Sequence, residues 1–511
     1  MTSRLTHSAT TRAAAVGFDL RTAVEGCTFD DVLFSPKLGV LERRDPSHID
    51  LSCPLTARIT LARPFLSANM DTVTRAPMAI LLAEEGGIGV IDRGFRTGDI
   101  APQIREVETV KRTQHGIIPD PYTIAQSATL AAAVALMRDS HVGTLVVVDG
   151  QRRLHGLLTE RDARFVSGSD VRVADRMTPL DALVVRKGPI SLDAAEQVMV
   201  ERKIKKLPLV DDDGVLTGLV TAKDILKQRR LPFATRDAQG RLRVAAAIGA
   251  TGDYLERAVE LDRAGADVLV IDIAHGHSVV MERALTAVRQ RLGDAQLIAG
   301  NVATGEGALF LAERGADGVK VGIGPGGGCT TRMTTSFGVP QLQALVDCGE
   351  VLAGRVPAIA DGGIKRDGSV VTALLLGADT VMLGGAFAGT LETPGEVVHK
   401  SVLLPESQRP VKVPFKVLRG MASIGAIKDR LDVEDVDTID LQALGAEGLE
   451  VSVPARGSAR PIIQDMMKHL CSSISYGGAV SLAELKERFR AHPEQYLVRL
   501  SPAARRESYE R

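Results

Sequence analysis

A chain of 511 residues, 45% hydrophobic and 24% charged, has the composition of a globular protein with two or three domains and a large core. Its net charge of −1, with both signs interspersed, argues against a nucleic-acid or membrane surface as the main partner. No apolar run approaches the roughly 18 residues that span a bilayer, and Met1 to Leu20 lacks the apolar core of a signal segment. The five cysteines (Cys27, Cys53, Cys329, Cys348, Cys471) are scattered without zinc-ligand spacing, so a reducing, cytoplasmic setting is expected.

In chain order, short apolar runs at Phe65–Ala68 and Ile88–Ile91 predict the first two buried strands, followed by Asn69, Asp71 and Asp92. The middle of the chain then repeats itself: RLHGLLTERD, Arg153 to Asp162, matches VLTGLVTAKD, Val215 to Asp224. Each copy is preceded by a predicted helix (Leu130–Arg138; Leu192–Arg202) and strand (Leu145–Asp149; Leu207–Asp211), which makes one paired module. Thr159 and Thr221 start the closing helix of each copy, where a capping role is the simplest reading.

Six further strands follow, at Val244–Ile248, Val268–Ile273, Leu297–Ala299, Gly318–Val321, Ala358–Ala360 and Thr380–Leu383. They alternate with amphipathic helices such as Tyr254–Ala264 and Gly305–Arg314, an α/β pattern. Eight such units predict a (β/α)8 TIM barrel, whose active site forms at the C-terminal strand ends. The polar residues fall there: Asn69, Asp71, Asp92, Asp272, His275, Asn301, Cys329 and Asp361. A doubly wound sheet would not scatter them over so many strand ends. The expected layout is residues 1–116 for the first part of the barrel, 117–227 for the paired insert, and 228–511 for the remainder with its loops and tail.

The loop GIGPGGGCTTR, Gly322 to Arg332, carries the clearest chemistry. Its glycines and proline exclude helix and strand. Cys329 is a candidate nucleophile and Thr331 a candidate proton carrier, against the bland alternative of a buried structural thiol. Asp361-Gly362-Gly363-Ile364 and Leu383-Gly384-Gly385 close the last two strands, where exposed backbone N–H groups recur as a phosphate cradle. Asp361 would then accept ribose hydroxyls, or else merely cap a tight turn. Asp272, His275 and His277 form too thin a set for a metal, and Asp272 reads better as a partner for a carboxamide.

The repeat resembles a tandem pair of cystathionine-beta-synthase (CBS) domains. That resemblance implies that Thr159, Asp162, Thr221 and Asp224 hold the ribose and phosphates of a regulatory adenine or guanine nucleotide. The wider chain resembles the IMP dehydrogenase and GMP reductase family, through Thr28-Phe-Asp-Asp-Val-Leu, Asn69-Met-Asp-Thr-Val-Thr, Gly86-Gly-Ile-Gly-Val-Ile, the cysteine loop, Asp361-Gly-Gly-Ile, Arg419-Gly-Met and Glu447-Gly. The resemblance implies a purine mononucleotide bound at Ser67, Asp361, Gly363, Gly384, Gly385, Gly420, Met421 and Glu447. Cys329 would attack the purine carbon between the two ring nitrogens. A nicotinamide cofactor would lie against Asp272, Gly322 and Gly324, and a potassium ion would sit at Gly324, Gly326 and Cys329. A homotetramer, or an octamer paired through the CBS modules, is also implied.

The same resemblance leaves two reactions to separate. In the dehydrogenase, which uses NAD, an Arg-Tyr pair on a flap activates water. In the reductase, which uses NADPH, ammonia leaves and a Thr-Glu pair moves the protons. Thr331 and Glu447 suit both, but Arg430 is followed by Leu431 where the dehydrogenase has tyrosine, which favours GMP reductase. Arg430 itself, a long flap and the C-terminal Arg506-Glu-Ser favour IMP dehydrogenase, with Arg430 as base. Leu418 in place of a phosphate-reaching tyrosine and Asp92 in place of a histidine depart from both, and leave room for a modified purine such as a deazaguanine nucleotide. A barrel without activity, serving only as a nucleotide sensor, is the non-enzymatic alternative.

Overall fold

The structure, a computed structural model, describes residues 18–113, 117–118, 120–140, 142–164, 171–403, 410–431 and 445–509. The chain forms two compact units, one of residues 1–110 with 243–511 and one of residues 111–242.

The larger unit is built on a closed barrel of eight parallel strands: β1 (Phe65–Ser67), β2 (Ile88–Ile91), β3 (Ala245–Ile248), β4 (Val268–Asp272), β5 (Leu297–Val302), β6 (Gly318–Val321), β7 (Ala358–Asp361) and β8 (Thr380–Leu383). They run round the barrel in chain order, with β8 pairing back onto β1. The expected (β/α)8 fold is therefore present, and the strand ends lie within three residues of the apolar runs that announced them. Nearly every strand position is buried, because helices cover the outside and side chains fill the inside. Leu66, Ile88, Val90, Ala247, Val270, Ile298 and Ile359 pack into the interior. Leu55 and Leu61 join that cluster from the hairpin of Cys53–Thr56 and Ile59–Leu61.

Beyond β8 the chain adds an antiparallel three-stranded sheet of Val398–Leu403, Pro410–Arg419 and Glu450–Pro454. This sheet sets where Leu418, Arg419 and Gly420 leave the middle strand. Helices Arg460–Tyr476 and Leu482–Ala491 complete the unit, and Arg506 lies on the helix Pro502–Tyr509. Among the described residues no helix is long and apolar enough to cross a membrane.

The smaller unit shows the sequence repeat in three dimensions. Thr144–Val148 pairs antiparallel with Leu154–Thr159, and Lys206–Val210 pairs the same way with Leu216–Thr221. Each pair is irregular at the equivalent point, Val147/Val148 in one and Leu209/Val210 in the other. The copies meet through Arg153 and Val215, with Leu154 N–H donating to Gly214 O and Leu216 N–H to Arg152 O. Each sheet packs against its own helix in a separate apolar cluster, and a third cluster, with Val146, Leu154 and Leu157 of one copy and Val210, Leu216 and Leu219 of the other, joins the two.

Candidate active site

The C-terminal ends of the barrel strands open into a cavity of about 640 Å³. Cys329, Thr331, Glu447, Arg430, Asp272, Asp361, Gly322, Gly324, Gly326, Gly363, Gly384, Gly385, Gly420 and Met421 all line it. Ser67 does not: it is fully buried at the end of β1, its hydroxyl has no partner, and Ala68, Asn69 and Met70 form the wall there.

The cysteine loop is held by a segment more than a hundred residues later in sequence. Thr330 N–H donates to Glu447 O at 2.9 Å and Leu449 N–H donates to Gly328 O at 2.9 Å, so Cys329 faces Gly448 across a short antiparallel bridge. That bridge sets the register of Glu447. Its Oε2 accepts from Thr331 Oγ1 at 2.6 Å, and Thr331 Oγ1 lies 3.1 Å from Cys329 Sγ. Thiol, hydroxyl and carboxylate thus form one continuous hydrogen-bonded path. Gly420 is where the chain passes closest to the loop: a Cβ there would lie 2.6 Å from Gly328 O, so any side chain would push the bridge apart. Arg332 supports the loop from behind, donating from Nε to Ile323 O at 2.9 Å and from Nη2 to Val339 O at 2.5 Å. Of the carbonyls assigned to a potassium ion, that of Gly326 already accepts from Cys329 N–H at 3.1 Å.

Opposite the thiol, Asp361 and Asp272 are joined through a residue the sequence pattern did not single out. Lys320, 2% exposed in the middle of β6, donates to Asp272 Oδ1 at 2.8 Å and to Asp361 Oδ2 at 2.6 Å. Burial disfavours its charge, but the two carboxylates overcome that and hold the ammonium well above the ordinary lysine range. Burial likewise opposes ionisation of Asp272, and Lys320 and Arg93 outweigh it, holding the carboxyl below the usual range. Asn301 donates to the same Asp361 oxygen at 2.9 Å and to Gly322 O at 2.7 Å. Asn301 Oδ1 and Arg93 Nε are buried without hydrogen-bond partners, the latter 3.7 Å from Asp272 Oδ2, and both residues line the cavity, as Asp272 does. An unpartnered acceptor and donor of this kind fit a carboxamide. His277 packs its ring on Phe310, with centroids 4.7 Å apart.

The flap begins where the three-stranded sheet ends. Arg419 bridges Asp71 Oδ2 at 2.6 Å and Asp429 Oδ2 at 2.5 Å. Arg430 donates to Met421 O at 2.8 Å, and its own carbonyl accepts from Thr97 N–H at 3.0 Å. Burial first, and Arg93 second, bring its guanidinium down to about 10. Leu431 follows directly, and residues 432–444 of the flap lie outside the described residues. Leu418 is 9% exposed and contributes only apolar surface to the cavity. Asp92 is fully buried against Arg75 Nε at 3.3 Å and Gly94 N–H at 2.6 Å, and does not line the cavity.

Residues 26–510 match the IMP dehydrogenase / GMP reductase domain. Among curated relatives, the inosine-5'-monophosphate dehydrogenase of Aquifex aeolicus is 40% identical over 488 residues, covering 95% of each chain. That of Nitrosopumilus maritimus is 42% identical over 474 residues, covering 91% of this chain and 94% of the relative. The chain belongs to the IMP dehydrogenase/GMP reductase family. Family members are nicotinamide-dependent purine-nucleotide oxidoreductases, and this chain is such an enzyme. Among solved structures, a cysteine-to-alanine variant of the GMP reductase of Trypanosoma brucei with guanosine 5'-monophosphate superimposes with a TM-score of 0.84 at 36% identity, covering 94% of this chain and 96% of that one. The same trypanosomal enzyme in complex with guanosine 5'-triphosphate gives a TM-score of 0.75 at 32% identity, over 93% of this chain and 97% of that one.

In the smaller unit, Thr159 N–H and Oγ1 donate to Asp162 Oδ2 at 2.8 and 2.7 Å, the geometry of a helix-capping box. Thr221 ends the equivalent strand of the second copy, and the side chain of Asp224 lies outside the described residues.

Proposed function

We propose that the chain is a GMP reductase, converting GMP or a close guanine-nucleotide analogue, with NADPH and two protons, to the IMP-type product, NADP+ and ammonium. The observation that carries this reading is the flap in which Leu431 follows Arg430, while the unbroken path from Cys329 Sγ through Thr331 Oγ1 to Glu447 Oε2 supports the covalent chemistry of either reaction. The sulfur of Cys329 adds to the purine carbon between the ring nitrogens, and its proton passes along Thr331 and Glu447. The same pair protonates the departing amine, which takes the electrons of its C–N bond and leaves a thioimidate. Asp272 would hold the reduced nicotinamide, which when bound would supply the hydride to that carbon. The C–S bond then breaks with its electrons returning to sulfur. Leucine at position 431 cannot help deprotonate a water, so Arg430 lacks the tyrosine partner expected for hydrolysis of the thioimidate.

The nucleotide phosphate would rest on the amides of Gly363, Gly384 and Gly385, with the ribose on the free oxygen of Asp361 and the base near Met421. Gly322 and Gly324 would border the nicotinamide. Isotope labelling of the exocyclic amino group tests the reading: labelled ammonium and IMP should appear in equal amounts from GMP and NADPH, and GMP left intact would contradict it.

A second reading, NAD-dependent oxidation of IMP, is favoured by Arg430, which lines the cavity with its guanidinium lowered to about 10, and by the names of the curated relatives. Regulation by adenine or guanine nucleotides at the CBS-like repeat, assembly as a homotetramer or octamer, and a cytoplasmic location accompany either reading. Light scattering with and without GTP measures the assembly.

A further inference from the structure

We propose that Lys320 is a positioning residue shared by the nucleotide and cofactor subsites, one ammonium fixing Asp361 and Asp272 so that each presents its other oxygen to a different ligand. This rests on the reading above, in which Asp361 meets the purine nucleotide and Asp272 the nicotinamide.

The barrel register makes the sharing possible. Asp272 on β4, Gly300 on β5 and Lys320 on β6 are directly in register across three neighbouring strands. A Cβ at Gly300 would lie 2.6 Å from Lys320 Cβ, so only the absence of a side chain there lets the lysine pass over β5 to a carboxylate two strands away. Asp361 extends from β7, the strand on the other side of β6. Lys320 takes Oδ1 of Asp272 and Oδ2 of Asp361, the latter shared with Asn301. Asp361 Oδ1 and Asp272 Oδ2 remain, the second 3.7 Å from Arg93, and the Asp272 carboxylate is also hydrogen-bonded by the Asn69 side chain. The lysine is 2% exposed, whereas the carboxylates keep 14% and 20% of their surface. The cation is therefore nearly enclosed, while both anions keep exposed surface toward the cavity. Because hydride transfer needs the two ligands face to face, fixing their anchors from one nitrogen sets their mutual position.

If one ammonium serves both carboxylates, altering either anchor changes the pull on the other, and the effect is reciprocal between the ligands. Equilibrium dissociation constants for GMP and NADPH test this on the wild-type chain, Asp361→Asn and Asp272→Asn. Asp361→Asn should change the affinity for NADPH by about fivefold or more, and Asp272→Asn the affinity for GMP by a similar factor. Both cross effects should vanish in a Lys320→Met background, and ethylammonium should restore turnover to Lys320→Ala. Each aspartate variant affecting only its own ligand would overturn the proposal, even if the lysine variants fail to fold. Should the wild-type chain bind neither GMP nor NADPH, the reductase reading fails instead, and the same cross effects are then measured with IMP and NAD.

Discussion

At the scale of single residues, the thiol, hydroxyl and carboxylate at Cys329, Thr331 and Glu447 act as one path, so each removal has its own signature. Cys329→Ala should abolish turnover while GMP still binds, as calorimetry would show; full turnover would refute the covalent step. Glu447→Gln keeps the hydrogen bond to Thr331 but cannot take a proton, and kcat should fall by about 10²–10⁴. Asp92 makes a different prediction. Burial pushes its carboxyl from the ordinary 3.8 up to about 6, against the opposing pull of Arg75. The folded chain therefore holds this proton more tightly than the unfolded one, and its contribution to stability is complete below 3.8 and lost as pH rises to about 6. Denaturant unfolding of wild type and Asp92→Asn across that window should show the difference shifting against the wild type as pH rises, then levelling off. A difference independent of pH would contradict it. Lys320 shows why some residues escaped the sequence pattern: one lysine in the run Gly-Val-Lys-Val does not disturb a buried-strand signal. Its partners come from other strands, and only the barrel register brings them to it.

At the scale of elements, the strands were legible because parallel strands buried on both faces read as short apolar runs. The helices that follow Thr159 and Thr221 were legible for a similar local reason. The bridge between Thr330 and Glu447 was not, since nothing within either segment encodes a partner so distant in the chain. Family resemblance marked Glu447; geometry shows how it reaches Thr331. Gly420→Ala tests that geometry, because its Cβ would meet Gly328 O and displace the Cys329 loop. We expect kcat to fall at least tenfold with thermal stability little changed, and unchanged kcat would show the bridge to be dispensable. Arg430→Gln separates the two reactions at the flap. Under the reductase reading GMP reduction stays within a few fold of wild type, whereas a base lost from a dehydrogenase costs about 10² or more in IMP oxidation.

At the scale of the whole molecule, barrel, strand-end polar residues and paired repeat were all readable from periodicity and self-similarity, and the match over residues 26–510 places the chain in its family. The direction of the reaction is a finer property, because under the proposed reading both reactions would use the same thiol, phosphate cradle and pair of carboxylates. It turns on what happens to one thioimidate. The most direct measurement follows reduced-cofactor absorbance in two parallel incubations of the wild-type enzyme, GMP with NADPH and IMP with NAD. The account predicts that NADPH is consumed with GMP while IMP yields little NADH; rapid NADH formation from IMP with GMP inert would contradict it.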